Sequence, residues 1–426
     1  MRLIHGKHEA FTVFKERYSG SDDANAGELV REILTAVRER GDEAVREFSE
    51  RFDGVRLSDF RVPARAFDEA VENVGSDLQE AIGLAARRIA SYYRSQPAQG
   101  FIEEQDGTLL GQLVRPLELV GCYVPGGTAP LFSTLLMTAI PARVAGVEEI
   151  VVATPPDRFG EVAPEILVAA REVGVTDVYR VGGAQAIAAL AYGTQSIPRV
   201  DKVVGPGNRW VVLAKQAVYG VVGIESLPGP TETLVLADES ASLGHVVADL
   251  LAQAEHMGAQ PVLVTTSRDL AEALPAALEA ALADLPTAAT ARESISTRGL
   301  RVLVETLAEG IEVSNRFAPE HLCLLVDKPH DLVPLVRNAG GIFVGHHSME
   351  ALGDYLAGPS HVMPTGGTAR FSSFVNVSDF QKLIPIVGVG EELLGQVGPA
   401  AARMARAEGL EAHARAIESR IGSAGK

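Results

Sequence analysis

The chain is poor in cysteine, in positive charge and in long apolar runs, and each shortage removes a class of protein. Its 426 residues include only two cysteines, Cys122 and Cys323. That excludes a disulfide framework and a cysteine-built zinc site. Lys and Arg number 38 against 55 Asp and Glu, a net charge of −17. Nucleic acid and anionic membrane surfaces both call for clustered basic residues, so neither is an expected partner. No stretch of about 18 apolar residues is free of Gly, Pro or charge, so no membrane span is expected. The start, MRLIHGKHEAF, has no apolar core of signal-peptide length. The expectation is a cytoplasmic protein. A complete G-x-G-x-x-G dinucleotide fingerprint is also missing. In Gly205-Pro206-Gly207-Asn208 the third glycine position holds Trp210.

What is present is ordinary for a globular protein, with 46% hydrophobic and 22% charged residues. The length predicts two or more domains. Residues 1–100 read as mostly helical, with apolar residues at helical spacing over 26–48 and 66–93 and a break at Gly41-Asp42. A strand over 117–123 leads into Val124-Pro125-Gly126-Gly127-Thr128-Ala129-Pro130, a loop that lets backbone approach a ligand or simply turns the chain. Strands at 150–153, 177–181 and 202–204 then alternate with helices at 161–173, 184–192 and 209–219. A second alternating series starts at 233. This is the pattern of parallel sheets with helices on their faces, in two comparable units. The last part, 393–421, is helical, with breaks at Gly395, Gly398, Pro399 and Gly409.

Several residues could carry chemistry. Gln253 and His256 are three apart, so on one helix they leave the same edge and could ligate a metal; two polar groups at a helix end look the same. Glu320-His321 puts a carboxylate beside an imidazole that titrates near neutrality, a pair suited to general-base work. Pro319 places the pair at a helix start, and a surface Glu with a hydrogen-bonded His is the bland alternative. Asp354 lies between glycines in Leu352-Gly353-Asp354-Tyr355-Leu356-Ala357-Gly358, either a ligand on a loop or a turn former. His361 could be a ligand, a support for one, or core. His413 and Glu408 fall near the C-terminus, on helical sequence. Cys122 reads as a buried thiol rather than a nucleophile.

In order along the chain stand GCYVPGGTAPLFSTLLM, VGGAQAIAALAYGT, DKVVGPGN, GPTET, DLLAQAEH, NRFAPEHL, GDYLAGPSHVMPTGGTARFSS and EGLEAHA. With these stretches the chain resembles the histidinol dehydrogenases from about residue 26 to 421. The resemblance implies an α/β fold of two incomplete Rossmann-like parallel-sheet domains with small helical N- and C-terminal parts. The corresponding division is an N-terminal segment 1–25, a first domain of 26–122 and 233–375 with the metal site, a second domain 123–232 on the NAD side, and a C-terminal arm 376–426 that reaches a partner subunit. It implies a homodimeric oxidoreductase of histidine biosynthesis that uses NAD and one Zn2+ per subunit to take L-histidinol to L-histidine in two hydride transfers. The implied zinc ligands are Gln253, His256, Asp354 and His413, the last from the other subunit. The implied bases are Glu320 and His321. Thr231, Gln253, His256, His321, Asp354, Glu408 and His413 would contact substrate, and Tyr123, Gln185 and Asn208 would contact NAD. A same-fold dehydrogenase for another small alcohol, or a silent metal-binding scaffold, is the alternative.

Overall fold

Two runs of alternating strand and helix each close into a parallel sheet, and the two sheets share one strand order. The structure is a computed structural model that describes residues 1–15, 24–97, 99–105, 107–126 and 130–421. Strands Leu119–Tyr123, Glu149–Thr154, Asp177–Arg180, Lys202–Val204 and Gly223–Ile224 form a five-stranded sheet. Side by side they run third, second, first, fourth, fifth, all parallel. Strands Glu232–Ala237, Gln260–Thr265, Leu300–Leu303, His321–Leu325 and Gly341–Val344 repeat that order in a second sheet. Arg2–His5 adds a sixth strand at its edge, parallel to Leu300–Leu303. The order is that of a doubly wound fold, whose switch point lies between the first and fourth strands. The architecture is α/β, as the alternating pattern predicted.

Strand periodicity explains how helices cover both faces of the six-stranded sheet. In Glu232–Ala237, Leu234 and Leu236 join one apolar cluster, with Phe14, Ile311 and Phe317. Val235 and Ala237 join the opposite one, with Val246, Leu250 and Leu274. Successive side chains point to opposite faces, so a strand buried on both sides reads as a continuous apolar run. Helix Ala24–Arg40 lays Val30, Ile33, Leu34 and Val37 into the core of the five-stranded sheet, among Val151, Ile187 and Leu190.

These elements make one compact unit, residues 1–95 and 118–380; a second comprises 96–117 and 381–426. The second unit has an antiparallel three-stranded sheet of Phe101–Gln105, Thr108–Pro116 and Gln381–Val389, then helices Glu391–Ala407 and Glu411–Glu418. The sequence reading did not find this sheet. Every residue of Phe101–Gln105 is exposed, so the strand carries no buried-face alternation. The expected breaks at Gly395, Gly398 and Pro399 are absent: helix Glu391–Ala407 runs through all three and the chain turns at Gly409, in the left-handed region. Gly398 is small for packing reasons, because a Cβ there would meet Ile417 and Ile421. Among the described residues, no helix is long and apolar enough to cross a membrane.

Candidate active site

The C-terminal edge of the five-stranded sheet borders a cleft of about 640 Å³. Tyr123, Gln185 and Asn208 all line it, with Asp53, Pro155 and Trp210. Tyr123 ends the first strand, and its buried hydroxyl accepts from Gly183 N at 3.1 Å, at the start of helix Gly183–Tyr192. Burial pushes the phenol up to about 12, so it stays neutral. Gln185 is 1% exposed, and its Nε2 donates to the Asp53 carboxylate at 3.3 Å. Asn208 caps helix Arg209–Val218, its Oδ1 accepting from Trp210 N and Val211 N at 3.0 and 3.2 Å. Both helices begin at the cleft and turn their positive ends to it, which suits phosphate oxygens.

Below the cleft an ion pair fixes the turn before Asn208. Lys215 and Glu225 are 1% and 2% exposed, with Nζ 2.8 Å from the carboxylate. Lys215 donates to Gly205 O at 3.0 Å, while Glu225 accepts from Gly205 N at 2.8 Å. Both backbone polar atoms of Gly205 are thereby held. Gly205 has φ +129°, and a Cβ there would land on the Tyr123 carbonyl oxygen, so only glycine fits. Of the loop 124–130, residues 127–129 lie outside the described residues.

The second cluster lies on the N-terminal edge of the six-stranded sheet. The Glu320-His321 pair is not at a helix start. His321 begins strand His321–Leu325, and Glu320 closes the connection from helix Leu307–Phe317. Ala318, left-handed at φ 51°, ends that helix and lets Pro319 turn outward instead of opening a new one. Gly340 N and Gly341 N donate to Pro319 O and Glu320 O, both at 2.9 Å, which fixes this backbone.

His321 is 3% exposed, and its Nδ1 lies 3.1 Å from Glu232 O. A carbonyl only accepts, so Nδ1 carries the proton and Nε2 the lone pair. Nε2 is buried without a hydrogen-bond partner. Burial holds the imidazole below its usual range, so the ring is neutral. Glu320 Oε2 accepts from Glu232 N at 3.0 Å. Burial, the largest effect, raises its carboxyl well above the usual range. Thr231 Oγ1 is 2.6 Å from Glu320 Oε2 and 2.7 Å from Gln253 Oε1. A hydroxyl has one proton, so one contact takes its proton from the neighbour. The Thr231 hydroxyl therefore joins Glu320 to Gln253 through two hydrogen bonds, donating in one and accepting in the other.

Gln253 occupies the last turn of helix Leu243–Ala254 and is 2% exposed. His256 lies just past that helix rather than on it, and is exposed. Asp354 caps the short helix Glu350–Gly353. His321 and His361 both feel the charges of Asp354 and His256, which draws these groups into one neighbourhood. His361 is committed at both ring nitrogens: Nδ1 is 3.0 Å from Asp354 O, and Nε2 is 3.1 Å from Thr134 Oγ1. It supports the Asp354 turn and ties it to helix Phe132–Ala145, which follows the first strand of the other sheet. An amide oxygen, an imidazole and a carboxylate are donors that fit zinc or a similar divalent ion. Among the described residues, no three His, Cys, Asp or Glu side chains are grouped to hold a metal.

The profile of the family described as histidinol dehydrogenase matches residues 16–421. The chain is 60% identical to a histidinol dehydrogenase of Deinococcus radiodurans over 92% of this chain and 90% of that one. It is 52% identical to one from Thermus thermophilus, covering 98% and 100%. The chain belongs to the histidinol dehydrogenase family. The crystal structure of histidinol dehydrogenase from Elizabethkingia anophelis is similar at a TM-score of 0.93 and 34% identity, over 100% of this chain and 99% of that one. Family membership makes the chain an NAD-dependent oxidoreductase of the histidinol dehydrogenase type.

Two family-expected residues lie in the second unit. Glu408 caps helix Glu391–Ala407, and His413 sits on helix Glu411–Glu418; both are exposed. Three acidic residues near the sites had no signal in the sequence. Glu232 holds His321 through its carbonyl. Glu350 is fully buried, accepts from Thr233 Oγ1 at 2.8 Å and lies 3.8 Å from His321 Nδ1. Asp53 comes from a helix far away in sequence. The Cys122 thiol is buried and pushed up to about 12, so it is inert.

Proposed function

We propose that this chain oxidises L-histidinol through the aldehyde to L-histidine, passing one hydride to each of two NAD molecules, as a homodimer with one zinc ion per subunit. The observation that carries this reading is His321: a neutral, buried imidazole with a bare Nε2, next to Glu320 and the Thr231–Gln253 link. Such a nitrogen takes the proton of a carbinol hydroxyl as hydride leaves the adjacent carbon. The proton then sits on Nε2, while the Glu232 carbonyl still holds Nδ1–H, so the ring does not turn.

The second oxidation needs water on the aldehyde carbon. Burial makes the Glu320 anion a stronger base than an exposed carboxylate, so it suits removal of a proton from that water. Thr231 links this carboxyl to Gln253. Gln253, His256 and Asp354, with His413 of a second copy, would hold the ion. When bound, it supplies a positive template for the amine and imidazole nitrogens of the substrate. The exposure of His413 supports that sharing. Glu408 offers a carboxylate to the cationic substrate. NAD would occupy the cleft lined by Tyr123, Gln185 and Asn208.

The test is NADH formed per L-histidinol consumed, with and without a metal chelator. Two NADH, lost on chelation, supports the reading. One NADH leaves an aldehyde-producing dehydrogenase, and none removes histidinol as substrate.

A further inference from the structure

The NAD cleft lacks the acidic group that a doubly wound sheet ordinarily supplies. In that fold a carboxylate about 20 residues beyond the glycine turn, near the second strand's end, accepts from the ribose hydroxyls. Here the second strand, Glu149–Thr154, ends in Pro155-Pro156, which line the cleft but have no hydrogen-bonding side chain. Asp157 follows, but its Oδ1 accepts from Phe159 N at 2.8 Å and Glu161 N at 2.9 Å, and closes its own loop.

Asp53 comes from elsewhere. It is the last residue of helix Asp42–Asp53, whose Val45 and Phe48 are buried in the core of the same sheet. That packing delivers the carboxylate to the cleft, where it accepts from Gln185 Nε2. Among the described lining residues Asp53 is the one charged side chain, and none is Lys or Arg. Arg209 is not among them; its guanidinium stacks 4.6 Å over the Trp210 ring.

We propose that Asp53 selects the cofactor: its carboxylate accepts from the unmodified ribose diol of a dinucleotide and repels the same ribose bearing a 2′-phosphate. A helix end thus replaces the missing acid of the second strand. This inference rests on reading the cleft as the NAD site.

Trp210, the single tryptophan, lines the cleft and reports on occupancy. The experiment titrates the full-length chain with NADH and, separately, NADPH while following Trp210 emission. Quenching by NADH, with NADPH at least roughly 100-fold weaker, is expected from like-charge repulsion in a partly dry site. Asp53→Asn should weaken NADH by about 10-fold and narrow the gap to about 10-fold or less. Asp53→Glu, which keeps the charge, should still exclude NADPH. Equal binding of both dinucleotides by the unaltered chain, or an unchanged ratio in a folded Asp53→Asn, overturns the selecting role. Absence of quenching by either overturns the cleft assignment itself, and the inference falls with it.

Discussion

His321 Nδ1 lies 3.1 Å from the carbonyl oxygen of Glu232, and this contact decides which ring nitrogen is basic. The acceptor belongs to the first strand of the six-stranded sheet and the ring to the fourth, hydrogen-bonded neighbours. The tautomer is therefore set by backbone pairing and not by a mobile side chain. Replacing His321 by Asn should lower kcat by roughly 100-fold or more while bound zinc is retained. Turnover with L-histidinol and metal content by emission spectroscopy check both. Near-normal turnover would remove His321 as the base.

The acid limb of kcat should follow the same ring. Its imidazole lies below the usual His range, so the neutral, working form persists to lower pH than for an exposed histidine. Activity should fall only below about pH 6.5. A limb centred above that value would contradict the neutral ring.

Glu320→Gln should spare the first oxidation more than the second, because only the second uses water. Single-turnover measurements from histidinol and from the aldehyde separate the steps. Equal losses would rule out the division of labour between Glu320 and His321.

Shared sites predict complementation. Inactive His321→Asn and His413→Asn chains, mixed and allowed to exchange, should recover up to about a quarter of full activity, since one hybrid site regains both groups. No recovery after mass spectrometry has verified exchange would place each site within one chain.

Asp53 should carry a pH-dependent stability cost. Its folded pKa is about 6 against an ordinary 3.8, with burial as the leading cause. Below about pH 4 the group is protonated whether folded or not, and no cost exists. As pH rises through 6 the native state must hold a partly buried anion, and stability drops. Asp53→Asn should therefore stabilise at pH 8 by about 1 kcal/mol, discounted for partial exposure. The gain should vanish as pH falls toward 4. Urea unfolding midpoints at several pH values test the sign.

Much of the fold was legible, because both parallel sheets are buried on two sides and their strands read as apolar runs closed by Gly turns. Leu234 to Leu236 and Val151 to Ala153 show this. The hairpin at 101–116 was not legible, since its first strand is wholly exposed and its second, mostly half-buried, follows no alternating buried-face period. Glu320 was misplaced for a local reason. Pro319 looks like a helix opener, and only the left-handed Ala318 shows that the chain turns into a strand. Tyr123, Gln185 and Asn208 sit beside glycine turns at strand ends, where the sequence marks a crevice. Asp53 and Glu350 carry no such mark; tertiary packing alone brings them in.

Both sheets have the same winding, yet the two clusters use opposite edges, and this gives each its electrical sign. At the five-stranded sheet, helices Gly183–Tyr192 and Arg209–Val218 begin beside the cleft and aim their positive ends at it. At the six-stranded sheet, helices Leu243–Ala254 and Leu307–Phe317 finish near Gln253 and Glu320, presenting carbonyl-rich negative ends. One architecture, entered from its two rims, thus offers a seat for an anion and another for a cation without a change of topology.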